Sequence, residues 1–186
     1  MSDEPRPWKL LSTEHLQDCA VFSVGRMRAR SASGFEHDFY RIDSSDWVNV
    51  VPLTDAGEVV MVKQYRHGAQ RVTLEIPGGM VDEGEDAATA AARELREETG
   101  FAAREVIEIG RVNPNPALFG NAVYSYVALG CTQVGEISGD GGTEETVVEL
   151  VARDALAARA RAGDVDHALV LAGFYWWQLW EQEQRG

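Results

Sequence analysis

Short apolar runs rich in valine, broken by turn residues, fill the first half of the chain, and their spacing predicts strands. A run opening Cys-Ala-Val-Phe predicts one over 19–30. Ser33-Gly34 turns the chain into a second, His37 to Ile42. Trp47 to Leu53 and Val59 to Tyr65 flank Asp55-Ala56-Gly57 and read as a hairpin. Val72 to Ile76 is a further strand, stopped by Pro77-Gly78-Gly79. The pattern then changes. Between Asp86 and Thr99, every residue but Asp86, Thr89 and Thr99 is Ala, Leu, Arg or Glu, all strong helix formers. Ala88, Ala91, Ala92 and Leu95 fall at i, i+3, i+4, i+7 and predict a narrow apolar stripe suited to close packing on a sheet. Gly100 is placed to end the helix in the left-handed region. Strands follow near 104–112, 122–129 and 145–152. Two helices close the chain, Asp154 to Ala162 and about Asp166 to Glu183. The second is apolar most of the way round, which predicts core on one face and a subunit interface on another. Residues 1–8 are polar and proline-bearing, a loose arm.

With 186 residues, 45% of them apolar and 25% charged, the chain has the makings of one globular domain. Its formal net charge of −13 argues against a nucleic-acid surface and against anionic membranes. No run is long enough to span a bilayer and the N-terminus lacks a signal-peptide pattern, so the reading is cytoplasmic. Cys19 and Cys131 lie in apolar runs and are expected to be buried, inert thiols.

The predicted helix also carries the chemistry. Glu94, Glu97 and Glu98 stand at i, i+3, i+4 and share a face. Like charges at that spacing repel by a few tenths of a kcal/mol per pair, about 0.2–0.5, unless a cation lies among them. Carboxylate oxygens favour a hard divalent ion, Mg²⁺ first and Mn²⁺ after it. Arg93 is placed to orient the acids through charge-assisted hydrogen bonds. A glutamate pair alone would read as a solvated face, so the rest of the pattern decides.

Gly79, Glu85, Arg93, Glu94, Leu95, Glu97, Glu98, Gly100 and Phe101 satisfy G-x5-E-x7-R-E-U-x-E-E-x-G-U, U being apolar. From average residue usage, a chance match at one position is on the order of one in a billion. The stretch resembles the Nudix box throughout. The segments Val62 to Gly68 and Leu74 to Gly79, with Trp47 opening its strand and Pro116 beyond the box, resemble the Nudix enzymes that hydrolyse ADP-ribose and related nucleoside diphosphate sugars. That resemblance implies an α/β fold, the Nudix α/β/α sandwich with a mixed sheet. Residues 1–45 would form an antiparallel sheet used in homodimerisation and 46–186 the hydrolase domain, each site borrowing residues from the other subunit.

The resemblance further implies that Glu94 and Glu98 hold metal, with Glu97 sharing or bridging, the Gly78 carbonyl completing the set and Glu85 bracing the box. A downstream loop glutamate, Glu144 before Glu145, would serve as further ligand or base. Arg66 is a candidate contact for phosphate or ribose, with Arg71 and Arg111 weaker candidates. Trp47 or Tyr65 would stack on the base or pack in the core, and His67 is a base or a structural side chain. The implied reaction is metal-assisted hydrolysis of a pyrophosphate linkage to a nucleoside monophosphate and a sugar phosphate. Two readings stay open beside it: a Nudix hydrolase of another diphosphate, such as a dinucleoside polyphosphate or NADH, and a Nudix module that binds a nucleotide without turning it over.

Overall fold

Two sheets organise the chain, in two compact units. A computed structural model describes residues 4–138 and 145–186. One unit comprises residues 1–45 and 113–121, the other 46–112 and 122–186. The first carries β1 (Lys9–Cys19), β2 (Phe22–Arg30) and β3 (Glu36–Asp43) as an antiparallel sheet in the order β1-β2-β3. The expected strand over 19–30 begins later, at Phe22, because Ala20 and Val21 form the turn out of β1. Segment 113–121 joins this unit through an isolated bridge between Phe119 and Ile42. Every residue of β1 is exposed, as are Trp8, Phe35, Phe39 and Tyr40. Cys19, expected to be buried, is exposed at the end of β1; Cys131 is buried.

The second unit is built on an eight-stranded mixed sheet. Its strands are β4 (Trp47–Thr54), β5 (Glu58–Arg66), β6 (Arg71–Glu75), β7 (Gly78–Met80), β8 (Phe101–Ala102), β9 (Glu105–Val112), β10 (Val123–Gln133) and β11 (Thr146–Ala152). The order is β11-β5-β4-β10-β8, with β6 on β5, β7 on β4 and β9 on β10. Among the described residues of this sheet, only β4 and β10 run parallel. β4 and β5 start as a hairpin at Leu53–Val59 and then part. β6 takes the outer half of β5 and β7 the outer half of β4, with Val50 N–H donating to the Pro77 carbonyl. Segment 76–79 therefore lies in the opening between two core strands.

Helix α1 (Ala87–Thr99) covers one face of this sheet and α3 (Ala168–Arg185) the other; α2 (Leu156–Ala162) follows a 3₁₀ turn at Arg153–Ala155. Strand alternation sorts the core accordingly. Val48, Val50, Val60, Tyr126 and Ala128 pack with Ala90, Ala91 and Leu95 of α1. Val51, Val59, Met61 and Val127 pack with Val170 and Trp177 of α3. This is the α/β/α sandwich with a mixed sheet. Asp86 caps α1, its Oδ1 accepting from Ala88 and Thr89 N–H at 3.1 Å, and Gly100 ends it at φ 73°. The buried stripe of α1 differs from expectation: Ala88 and Ala92 are exposed, and Ala90, Ala91, Leu95 and Glu98 face inward. Leu171 and Tyr175 leave α3 partly uncovered on its outer side. No helix among the described residues is long and apolar enough to cross a membrane.

Candidate active site

The rotation of that stripe carries Glu98 to the sheet. Only 7% of Glu98 is exposed, and one carboxylate oxygen accepts the Gly78 N–H at 3.0 Å. Glu94 lies one turn earlier against Gly79, where a Cβ would come within 2.3 Å of its Oε1. A side chain at Gly78 would strike the Val48 carbonyl at 2.3 Å. Gly79 thus leaves the space the Glu94 carboxylate occupies, while Gly78 lets its own strand lie close against β4. Glu97, about one-third exposed, completes the face toward solvent.

Arg93 binds the group together. Its Nε and Nη2 form a fork on Glu85 at 3.1 and 3.0 Å, and Nη2 also donates to the Met80 carbonyl at 3.0 Å. Nη1 reaches Glu94 at 2.8 Å and Glu97 at 3.2 Å. Those hydrogen bonds, Glu85 first, raise the arginine further above its ordinary value, so its charge is permanent. Arg93 in turn holds Glu85 below the usual carboxylate range, against the effect of burial. Three carboxylates, Glu85, Glu94 and Glu97, bond to one guanidinium, leaving negative charge uncompensated by Arg93. Among the described residues no three His, Cys, Asp or Glu side chains form a ready-made metal cage. The donor set still fits a hard cation: oxygen donors only, two of them on the buried side of α1, and a glycine cradle shaped around one of them.

The last turn of α1 is fixed from outside. Ser138 N–H donates to the Glu97 carbonyl at 3.0 Å and Thr146 Oγ1 to the Glu98 carbonyl at 2.9 Å. Glu145, beside Thr146, is exposed; Glu144 lies outside the described residues.

A NUDIX domain model matches residues 45–172. The chain belongs to the Nudix family of hydrolases. Its Nudix box is the loop-helix unit described above. An ADP-ribose pyrophosphatase of Mycobacterium tuberculosis is 28% identical over 167 residues, covering 89% of this chain and 81% of that protein. One from Bacillus subtilis is 37% identical over 81 residues, 44% of either chain. The ADP compounds hydrolase NudE of Escherichia coli is 26% identical over 121 residues, 64% of either chain. A crystal structure of an ADP compounds hydrolase shares the Nudix fold at a TM-score of 0.87, with 20% identity over 98% of both chains.

The other sequence-derived candidates of this Nudix chain fall in different places. Arg66 forks onto the buried Glu75, Nε and Nη2 each at 2.9 Å, an anchor that sequence reading missed. Nothing in the sequence pairs positions nine apart on strands of unknown register. Arg71 pairs with Asp166, and Arg111 stacks over Tyr124 at 5.0 Å. Alternation puts Trp47 and Tyr65 on the α3 face, opposite the acidic cluster; Tyr65 is exposed and meets His67 edge-on at 5.2 Å. Pro116 is exposed in segment 113–121 of the N-terminal unit.

Proposed function

We propose that the protein hydrolyses the pyrophosphate bond of ADP-ribose or a related nucleoside diphosphate sugar, giving a nucleoside monophosphate and a sugar phosphate. Glu94, Glu97 and Glu98, with the Gly78 carbonyl, would hold Mg²⁺, or Mn²⁺ in its place. The observation that carries this reading is the buried Glu98 carboxylate seated on the Gly78 N–H, beside a Glu94 that only glycine at 79 admits. Burying a carboxylate is costly without strong compensation, so a fold that buries Glu98 at the end of an acidic stripe has a use for its charge. When bound, the cation supplies charge neutralisation at the diphosphate and a water more acidic than bulk water.

The chain's own groups do the rest. Arg93 holds Glu94 and Glu97 together through Nη1, and Glu85 keeps Arg93 in place. Glu97 is the most open of the three acids and is suited to orient the attacking water. Glu144 and Glu145 remain the proposed loop acids on sequence grounds. The relatives support the substrate class, since their names include ADP-ribose pyrophosphatase and ADP compounds hydrolase. NudE also favours a second reading, hydrolysis of another ADP-containing diphosphate by the same groups.

We further propose a homodimer formed through the β1–β3 sheet, which carries the exposed aromatic and aliphatic side chains noted above.

The test is a chromatographic screen of the products formed with Mg²⁺ from ADP-ribose, GDP-mannose, UDP-glucose, NADH, diadenosine polyphosphates and nucleoside triphosphates. Turnover of ADP-ribose or another diphosphate sugar is expected. Turnover confined to triphosphates would sink the reading, and binding of ADP-ribose without turnover would favour a binding module. Glu98→Gln should lower kcat by roughly 10²-fold or more with the fold retained.

A further inference from the structure

One buried charge has no part in the reaction as proposed. Glu75 is 2% exposed, yet four hydrogen bonds converge on it. Arg66 gives two, Nε to Oε1 and Nη2 to Oε2, each 2.9 Å. Thr73 Oγ1 gives a third to Oε1 at 2.6 Å. His167 Nδ1 lies 2.9 Å from Oε2, and because a carboxylate only accepts, the Nδ1–H tautomer is selected. Burial works against the charge of Glu75. The bonds from Arg66, His167 and Thr73 outweigh it and hold the acid well below the usual carboxylate range.

The sheet register shows which side this group faces. Val60 packs in the α1-side core, so Gln64 and Arg66, an even number of residues further along β5, face that side too. Gln64 pairs with Thr146 on one flank and with Thr73 on the other. Thr146 bonds the Glu98 carbonyl, and Thr73 bonds Glu75. A continuous row thus runs from the last turn of the box helix to the Arg66–Glu75 fork. Glu75 also stands three residues before Gly78, whose N–H holds Glu98. Arg66, its side chain 39% exposed, therefore lies partly in solvent on the same sheet face as the acidic cluster.

We propose that Glu75 is a positioning residue: it fixes the Arg66 guanidinium on the α1 face of the sheet, where it meets the diphosphate of the substrate, while Thr73 and His167 fix Glu75. The inference rests on the diphosphatase reading above. An unrestrained arginine gives up rotamer freedom each time it binds an anion; here that freedom is lost on folding. Because Glu75 offsets the arginine's charge, Arg66 contributes through directed hydrogen bonds more than through net charge.

Steady-state kinetics with ADP-ribose and Mg²⁺ on the full chain test this, with melting curves run alongside. Glu75→Gln should raise KM about tenfold with kcat within about twofold of wild type. Arg66→Ala should raise KM at least as much. The double variant should be no worse than Arg66→Ala, since Glu75 acts only through Arg66. A folded Glu75→Gln with wild-type KM, or single effects that multiply in the double variant, would overturn the proposal. Should Glu75→Gln fail to fold, Arg66→Lys decides: it keeps the charge and loses the fork, so KM should again rise about tenfold. A wild-type KM there overturns the proposal as well. Wild-type turnover is the control for the functional reading; without it that reading falls and takes this one along, whereas turnover with unmoved variants removes the inference alone.

Discussion

Gly79 makes a single missing methyl group decisive at the residue scale. Any Cβ there would come within 2.3 Å of Glu94 Oε1, but the obstacle is the end of a flexible side chain rather than backbone. Gly79→Ala should therefore fold, at a cost of about 1 kcal/mol or less, while displacing the Glu94 carboxylate by roughly an ångström. Misplacement of that size costs about 10²-fold in rate, so kcat should fall by that order while the melting temperature barely moves. Circular dichroism and steady-state kinetics on the same preparation check it; retained activity would free Glu94 from its role. Glu75 gives a pH prediction of definite sign. A carboxylate whose pKa is depressed in the fold contributes stability that is complete above its unfolded value, about 4.3, and is lost as pH falls below it toward the folded value. Melting curves of wild type and Glu75→Gln should thus be furthest apart at about pH 6 and above, and should converge below about pH 4.

At the element scale, α1 owes its placement to both ends. Asp86 satisfies N–H groups at its start, and its last turn is closed by Gly100, Ser138 and Thr146. Thr146→Val keeps the β-branched shape that suits β11 and removes only the hydrogen bond to the Glu98 carbonyl. It should cost about 1 kcal/mol, seen as a melting point lower by about 2–4 °C, and Thr146→Ser should recover most of it. The existence and ends of this helix were legible in the sequence, since strong helix formers fill 87–98 apart from Thr89 and glycine follows Thr99. Its buried face was not. Ala87, Ala88, Ala90, Ala91 and Ala92 weigh alike in any hydrophobic pattern, so the phase of the stripe is underdetermined among them. Only contact with the sheet shows that Glu98 belongs inside. β1 stayed hidden for a related reason: with all its side chains exposed, Lys9 to Cys19 has no period of two to read. β7 is Gly-Gly-Met, a composition that signals a stop, yet it pairs with Trp47, Val48 and Asn49 of β4. The box acids were legible because their spacing is local. The Arg66–Glu75 fork depends on register between strands, which composition does not encode.

For the whole molecule, the open question is what covers the apolar surface of the N-terminal unit. Trp8 packs edge-on against Phe39 at 5.2 Å and Phe35 at 6.2 Å, yet all three remain exposed. Leu10, Leu11, Leu16 and Phe22 add to the exposed apolar surface of the same unit. Scattered apolar residues on a surface need no explanation, but an aromatic cluster on a three-stranded sheet whose outer strand buries nothing does. The chain's charge points to a neutral, apolar partner surface rather than to an anionic one, and in the homodimer proposed above a second copy of the same sheet would supply it. Light scattering at micromolar concentration should therefore give twice the chain mass of 20.4 kDa. Phe39→Lys, which places a charge in the aromatic cluster, should return the mass of one chain. A wild-type monomer would leave the patch to another partner, and a Phe39→Lys dimer would move the interface elsewhere. The acidic site is built wholly within the other unit, on α1 and segment 78–80, so the contacts of Arg93 and Glu98 do not depend on the outcome. If the monomeric variant still bound Mg²⁺ but lost affinity for ADP-ribose, the substrate pocket would be completed across the dimer while the metal site stood alone. Isothermal titration of the two ligands against Phe39→Lys separates these parts in one experiment.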